Sequence, residues 1–128
     1  MVRVLGDDFD PQGFLATTSL TPSSVFLKGE PREGRAKPAA TSGFNCDIGE
    51  GSLEELIDLA TNFLMLHAED LKRISNTADV ESFYVDFAYD CRLDDQSVII
   101  QRDYFPAKFV SVVGELGLGL CLTLSNAK

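Results

Sequence analysis

The sequence predicts a single α+β domain over residues 1–128: a mainly antiparallel sheet with helices packed on one face. The expected form is a ferredoxin-like βαββαβ core with a C-terminal helix and strand added. Three observations lead there. Residues 52–75 place apolar side chains at helical spacing, and residues 81–91 alternate between two faces. The remaining segments supply strand, helix, strand, strand before these two, and helix and strand after them. Mean hydropathy of +0.02 and 45% apolar residues suit a globular chain with a sizeable core.

The chain opens with a short β-branched strand, 2–5. Asp10 then reads as an N-cap and Pro11 as the first helical residue, where a missing N–H has no cost. Phe9 and Phe14 have the spacing of a hydrophobic staple, and the helix is predicted over 11–18. Asp7, Asp8 and Asp10 are read as a cap and its neighbours rather than a cation site, because the glycine and distal glutamate of a calcium loop are missing. Strands are predicted at 24–28 and 44–48, with a loop at 29–43 too long for a tight hairpin turn.

The long helix opens on Ser52-Leu53-Glu54-Glu55, a capping box. Leu53, Leu56, Ile57, Ala60, Phe63, Leu64, Leu71 and Ile74 fall on one stripe, with Lys72 and Arg73 in the last turn. It is expected to run as one helix to Ser75, about 35 Å long. A turn at 76–79 leads to the strand 81–91, with Phe83, Val85, Phe87, Tyr89 and Cys91 on one face and Ser82, Tyr84, Asp86, Ala88 and Asp90 on the other. Arg92 to Asp95 is a turn and 97–101 a short strand. Residues 103–116 form the last helix, with Pro106 in its first turn and Gly117 ending it. The final strand, 118–124, is expected to turn Leu118, Leu120, Leu122 and Leu124 to the core.

The chemistry of the chain is sparse. His67, the only histidine, sits on the helical stripe without an acid or nucleophile at helical spacing, so it is read as a core or boundary residue. Cys46, Cys91 and Cys121 are scattered, with no C-x-x-C, and are read as buried free thiols. The run 114–119 is G-x-x-G-x-G after a helix, which is not the dinucleotide fingerprint. Asp86 and Asp90 stand roughly 13 Å apart along their strand, too far to share a proton. No catalytic residue, metal or cofactor is therefore expected.

Net charge is −9 with a pI near 4.4, which disfavours nucleic acid and anionic membranes and favours a basic partner. No apolar run approaches the roughly 20 residues that cross a bilayer. The first residues turn acidic without an apolar segment, so no secretory signal is expected and the cytoplasm is the expected compartment. The acidic candidates for a partner surface are Asp47, Asp86, Asp90, Asp94 and Asp95, with Tyr84 as an aromatic anchor. The loop offers a second candidate: Lys28, Arg32 and Arg35 could hold an anion, although a solvated hairpin tip is the plainer reading.

Phe9-Asp10-Pro11, Leu20-Thr21-Pro22, Lys28-Gly29-Glu30-Pro31, Ser42-Gly43-Phe44 and the long Leu-rich helix resemble the small bacterial family catalogued as domain of unknown function 4279. The likeness runs over roughly 5–124. Phe44 stands where that family is expected to have Trp, and the loop before it is enlarged. The resemblance implies no catalytic residues. It implies a bacterial or phage context in which some members are suspected immunity proteins beside polymorphic toxins. The function expected on that basis is a non-enzymatic protein-binding module, an immunity protein that masks a basic toxin domain. The alternative is a small-ligand or anion-binding regulatory domain using residues 28–37.

Overall fold

Val2 and Val4 alternate with Arg3 and Leu5, and this period of two recurs in neighbouring strands to give a sheet with one apolar face. The computed structural model describes residues 1–94, 97 and 99–126. Strand β1 (Val2–Gly6) is central and pairs antiparallel with β3 (Ser42–Cys46) and β4 (Ser82–Cys91). Strand β2 (Ser24–Phe26) joins β3 antiparallel, while β5 (Gly119–Asn126) lies parallel to β4 at the other edge. The order β2-β3-β1-β4-β5 makes a five-stranded, mostly antiparallel α+β sheet. Its first four strands have the order expected of a βαββαβ core, and β5 is the added edge. A parallel edge needs a crossover, which the last helix supplies.

Four helices cover the apolar face: α1 (Pro11–Leu15), α2 (Leu53–Leu66), α3 (Ala68–Ser75) and α4 (Ala107–Leu116). Their buried residues, among them Leu56, Ile57, Ala60, Leu64, Leu71, Ile74 and Phe109, form one cluster with Val2, Val4, Phe44, Cys46, Val85 and Phe87 of the sheet. The local signals work as read. Asp10 accepts a hydrogen bond from Gly13 N–H at 3.1 Å, and Phe9 and Phe14 meet with ring centroids 6.1 Å apart, both also beside Phe44. In the capping box, Ser52 Oγ accepts from Glu55 N–H and Ser52 N–H donates to Glu55 Oε1, each at 3.2 Å. Gly117 ends α4 in the left-handed region, at φ 78°.

Several expectations are corrected. The long helix is two helices, broken at His67, whose φ of −107° and ψ of 22° belong to neither. The cause lies in what α3 binds. Asp70 accepts from both Ser19 N–H and Ser19 Oγ–H, and Arg73 donates to Thr17 O and Oγ1 while stacking 5.3 Å from the Phe14 ring. Docking on residues 17–19 fixes α3 separately from α2. The first helix stops at Leu15, because Thr17 and Thr18 turn their hydroxyls back onto Phe14 O and Leu15 O. The last helix starts at Ala107 rather than 103: Pro106 disfavours helical geometry at Phe105, and Asp103 is tied into a polar cluster described below.

Strand β2 ends at Phe26 because Lys28 N–H donates to Ser42 Oγ instead of a ladder carbonyl. The expected strand at 97–101 does not form at 97 or 99–101. Gln101 folds back on Arg92 N–H at 2.7 Å, and Ile99 and Ile100 are exposed; Val98 lies outside the described residues. Leu118 is buried, but Leu120, Leu122 and Leu124 are 45%, 40% and 44% exposed. Their register beside Val85, Phe87 and Tyr89 puts them on the helix-covered side. They stay half-exposed because β5 is the edge and the helix layer is centred on the inner strands. Cys46 is buried, whereas Cys91 and Cys121 are only half-buried, all three as free thiols.

Burial therefore separates residues that look alike in the sequence. Leu64→Ala is expected to cost about 2–5 kcal/mol and Leu122→Ala less than about 1 kcal/mol, read from urea midpoints at unchanged m-value. Equal losses would place the β5 leucines in the core and contradict the packing.

Candidate functional site

The second face of the sheet carries most of the candidate residues. Strand register aligns Ser24, Asn45, Arg3 and Tyr84 in one row across β2, β3, β1 and β4. Phe26 lies opposite Gly43 in the next row, and Asp86, Ala88 and Asp90 continue along β4. No helix covers this face among the described residues. The 27–41 loop folds over its β2–β3 end instead, held by Gly29 N–H to Ala39 O and Ala39 N–H to Glu30 O, both 2.9 Å, with Ala39 buried. The loop is thus more tied down than a bare solvated tip.

The predicted acidic residues fall on the other end of the face. Tyr84 and Asp86 are half-buried and Asp90 is exposed. Asp86 Oδ1 accepts from Thr123 Oγ1–H at 2.8 Å and Asp90 Oδ1 from Ser125 Oγ–H at 3.4 Å, each from the adjacent strand β5. Asp47, just past β3 and exposed, lines one cavity of about 400 Å³ with Asp86 and Ala88. The structure therefore brings Asp47, Tyr84, Asp86 and Asp90 onto one side. Asp94 lies in the 3₁₀ turn Arg92–Asp94 beyond the end of β4, and Asp95 lies outside the described residues.

The basic candidates divide. Lys28 forms an ion pair with Asp7 at 3.4 Å and does not join the others, which corrects its place in the anion site. Arg32 and Arg35 line a cavity of about 340 Å³ with Arg3, Ser24, Phe26 and Asn45. Arg3 is the residue that sequence reasoning missed. Its signal was present: in Val2-Arg3-Val4 the alternation that buries both valines must put the arginine on the opposite face.

A second polar cluster, also unforeseen, joins the end of β4 to the start of α4. Asp103 Oδ2 accepts from Tyr89 Oη–H and from Gln101 Nε2–H, each at 2.9 Å, and Arg92 Nη2 lies 3.5 Å from Oδ1. The Gln101 amide first, then the Tyr89 hydroxyl and the Arg92 guanidinium, hold the Asp103 carboxyl below its usual value against the opposing effect of burial. Tyr89 is pushed up to about 12, first by lost solvation and then by the hydrogen bond it gives Asp103. The cluster borders a cavity of about 590 Å³ that also contains Ser52, Asp58 and Arg102. Neither group is set for proton transfer near neutral pH.

His67 occupies the helix break, its ring 4.7 Å from that of Phe63 and its buried Nδ1 without a hydrogen-bond partner. Burial pushes the Cys46 thiol up to about 11, which makes it unreactive. Among the described residues no group of three or more His, Cys, Asp or Glu is placed to hold a metal ion, and no helix is long and apolar enough to cross a membrane. Comparison of the chain with protein-family models, with curated proteins and with solved structures returned no match in any of the three.

The depressed Asp103 carboxyl has a consequence for acid stability. A carboxyl lowered in the folded state contributes stability that is full above its unfolded pKa of about 3.9 and is lost as pH falls through the folded value. Asp103→Asn should therefore flatten the acid limb of a urea-midpoint profile between about pH 5 and pH 2 relative to wild type. Parallel acid limbs would show that the cluster does not hold the ionised form.

Proposed function

We propose that this protein is a non-catalytic binding module that recognises a protein partner through the uncovered face of its sheet. One observation carries the reading: the helices cover the apolar face, and the other face presents Tyr84 and Asp86 with Asp47 and Asp90 farther along it. An aromatic ring flanked by carboxylates suits a basic surface, with the ring as anchor and the acids as steering charges. The chain's charge of −9 adds a long-range attraction for such a partner. The concrete form of the proposal is an immunity protein of the family resembled, working in the cytoplasm and neutralising a basic toxin domain by masking its surface. Neutralisation needs complementarity and no reaction.

The test is the association of this chain with the product of the adjacent reading frame, followed kinetically. Raising salt from about 50 to about 500 mM shortens the screening length about threefold, so the on-rate should fall by about tenfold or more while the off-rate changes little. The double variant Asp47→Asn/Asp90→Asn should reproduce much of that fall at low salt, and Tyr84→Ala should accelerate dissociation. No complex at about 10 μM, a concentration at which a specific interface forms, would overturn the reading. So would an on-rate indifferent to both salt and the two aspartates.

A further inference from the structure

We propose that the cavity bounded by Arg3, Arg32, Arg35 and Asn45 is a binding site for the phosphate group of a small ligand. It adjoins the acidic end of the same face, where Arg3 pairs with Tyr84, but has none of that end's carboxylates in its lining and does not depend on the protein-partner reading.

The argument begins with unsatisfied polar atoms. Arg3 Nε and Asn45 Oδ1 are both buried without a hydrogen-bond partner, and both residues line this one cavity. A buried polar atom left unmade costs about 1–3 kcal/mol, and these two, on cross-strand partners, mark the cavity wall as short of hydrogen-bond partners. One anion answers both. The Arg3 guanidinium lines the cavity, and a small shift of the side chain would open its shielded Nε–H to the anion. The Asn45 amide now donates Nδ2–H to Ser24 Oγ at 3.0 Å, but that hydroxyl can equally donate to Oδ1 after the amide turns over. The turned amide aims its NH₂ at the anion and leaves no orphan.

The cavity is also built to keep its charge unpaired. Among the described residues no carboxylate lines it, in a chain with 20 acidic residues against 11 basic ones. The ion pairs of the described residues use Lys28, Arg73 and Arg92 and none of these three arginines. Arg3 is held in place by stacking, its guanidinium carbon 5.3 Å from the Phe26 ring centroid. Phe26 reaches that position across β3 because its partner there is Gly43; a Cβ at Gly43 would come within 2.8 Å of Phe26 Cζ. Arg32 is fixed by two hydrogen bonds, from Nε and Nη2 to Lys37 O at 3.2 Å, leaving Nη1 available.

Three guanidinium groups exceed what one carboxylate neutralises. A phosphate monoester carries about −1.5 to −2 with three acceptor oxygens, and the planar arginine fork matches it bidentately. A cavity of about 340 Å³ admits the headgroup of a small ligand, and the acidic remainder of the surface repels nucleic acid.

The experiment is isothermal titration of the full chain with inorganic phosphate, pyrophosphate, glucose 6-phosphate and acetate at matched ionic strength. Saturable one-to-one binding of at least one phosphate probe, with acetate about tenfold weaker or more, is expected. Binding of the inorganic probes alone would assign the site to a free anion, and tighter binding of the sugar phosphate to an ester; both support it. Arg3→Lys keeps the charge but loses the fork and should weaken binding by about tenfold or more. Arg35→Gln alters an exposed loop residue, so it should weaken binding severalfold at an unchanged melting temperature. Heats no different from those of chloride, acetate binding as tightly as phosphate, or full affinity in both variants would overturn the site.

Discussion

The contact between one face of the sheet and the helices α2 and α4 is the interaction on which the remaining structure depends. Val2, Val4, Phe44, Cys46, Val85 and Phe87 all point to that side, and Leu64 and Phe109 meet them from above. The aromatic rings of Phe87, Phe105 and Phe109 lie 5.5–6.1 Å apart within it. Because side chains alternate along a strand, filling one face with valine and phenylalanine commits the other to whatever lies between them. Here that is Arg3, Asn45, Tyr84, Asp86 and Asp90. The same one-sidedness explains β5: it extends the sheet past the helix layer, and its leucines keep the correct face without gaining cover.

Much of this arrangement is legible in the chain, and the limits have physical causes. Caps and staples are local, so Asp10, Ser52 with Glu55, Phe9 with Phe14, and Gly117 all act where their spacing places them. Alternation along each strand is local too, and the βαββαβ order follows from it. The break at His67 is different. It has no proline or glycine to mark it, and Leu64 and Leu71 remain on one stripe whether the helix breaks or runs on. What breaks it is Asp70 and Arg73 gripping residues 17–19, more than fifty positions upstream, and periodicity carries no trace of that. The start of α4 moves for the same kind of reason, since Asp103 is drawn to Tyr89 and Gln101.

The candidate site was half legible. Tyr84, Asp86 and Asp90 share a face because period two requires it, and Arg32 and Arg35 were visible as basic residues in a long loop. Their assembly was not visible. It needs the loop to fold over β2 and β3, Phe26 to cross Gly43, and Arg3 to arrive from the strand next door. Lys28, nearest in sequence to the loop arginines, goes to Asp7 instead.

Arg3 is then the residue on which the proposed phosphate site turns. A guanidinium half-buried at the centre of a sheet, with an unsatisfied Nε and no carboxylate, is a poor choice for stability alone. Sites kept for binding carry costs of this kind, and removing them stabilises the fold. Arg3→Met keeps an unbranched apolar stem over Phe26 and deletes the orphaned donor. The urea midpoint of Arg3→Met should equal or exceed that of wild type at unchanged m-value. A loss of more than about 1 kcal/mol would show that Arg3 is held there by the fold itself, and would contradict the proposal that it is kept for binding.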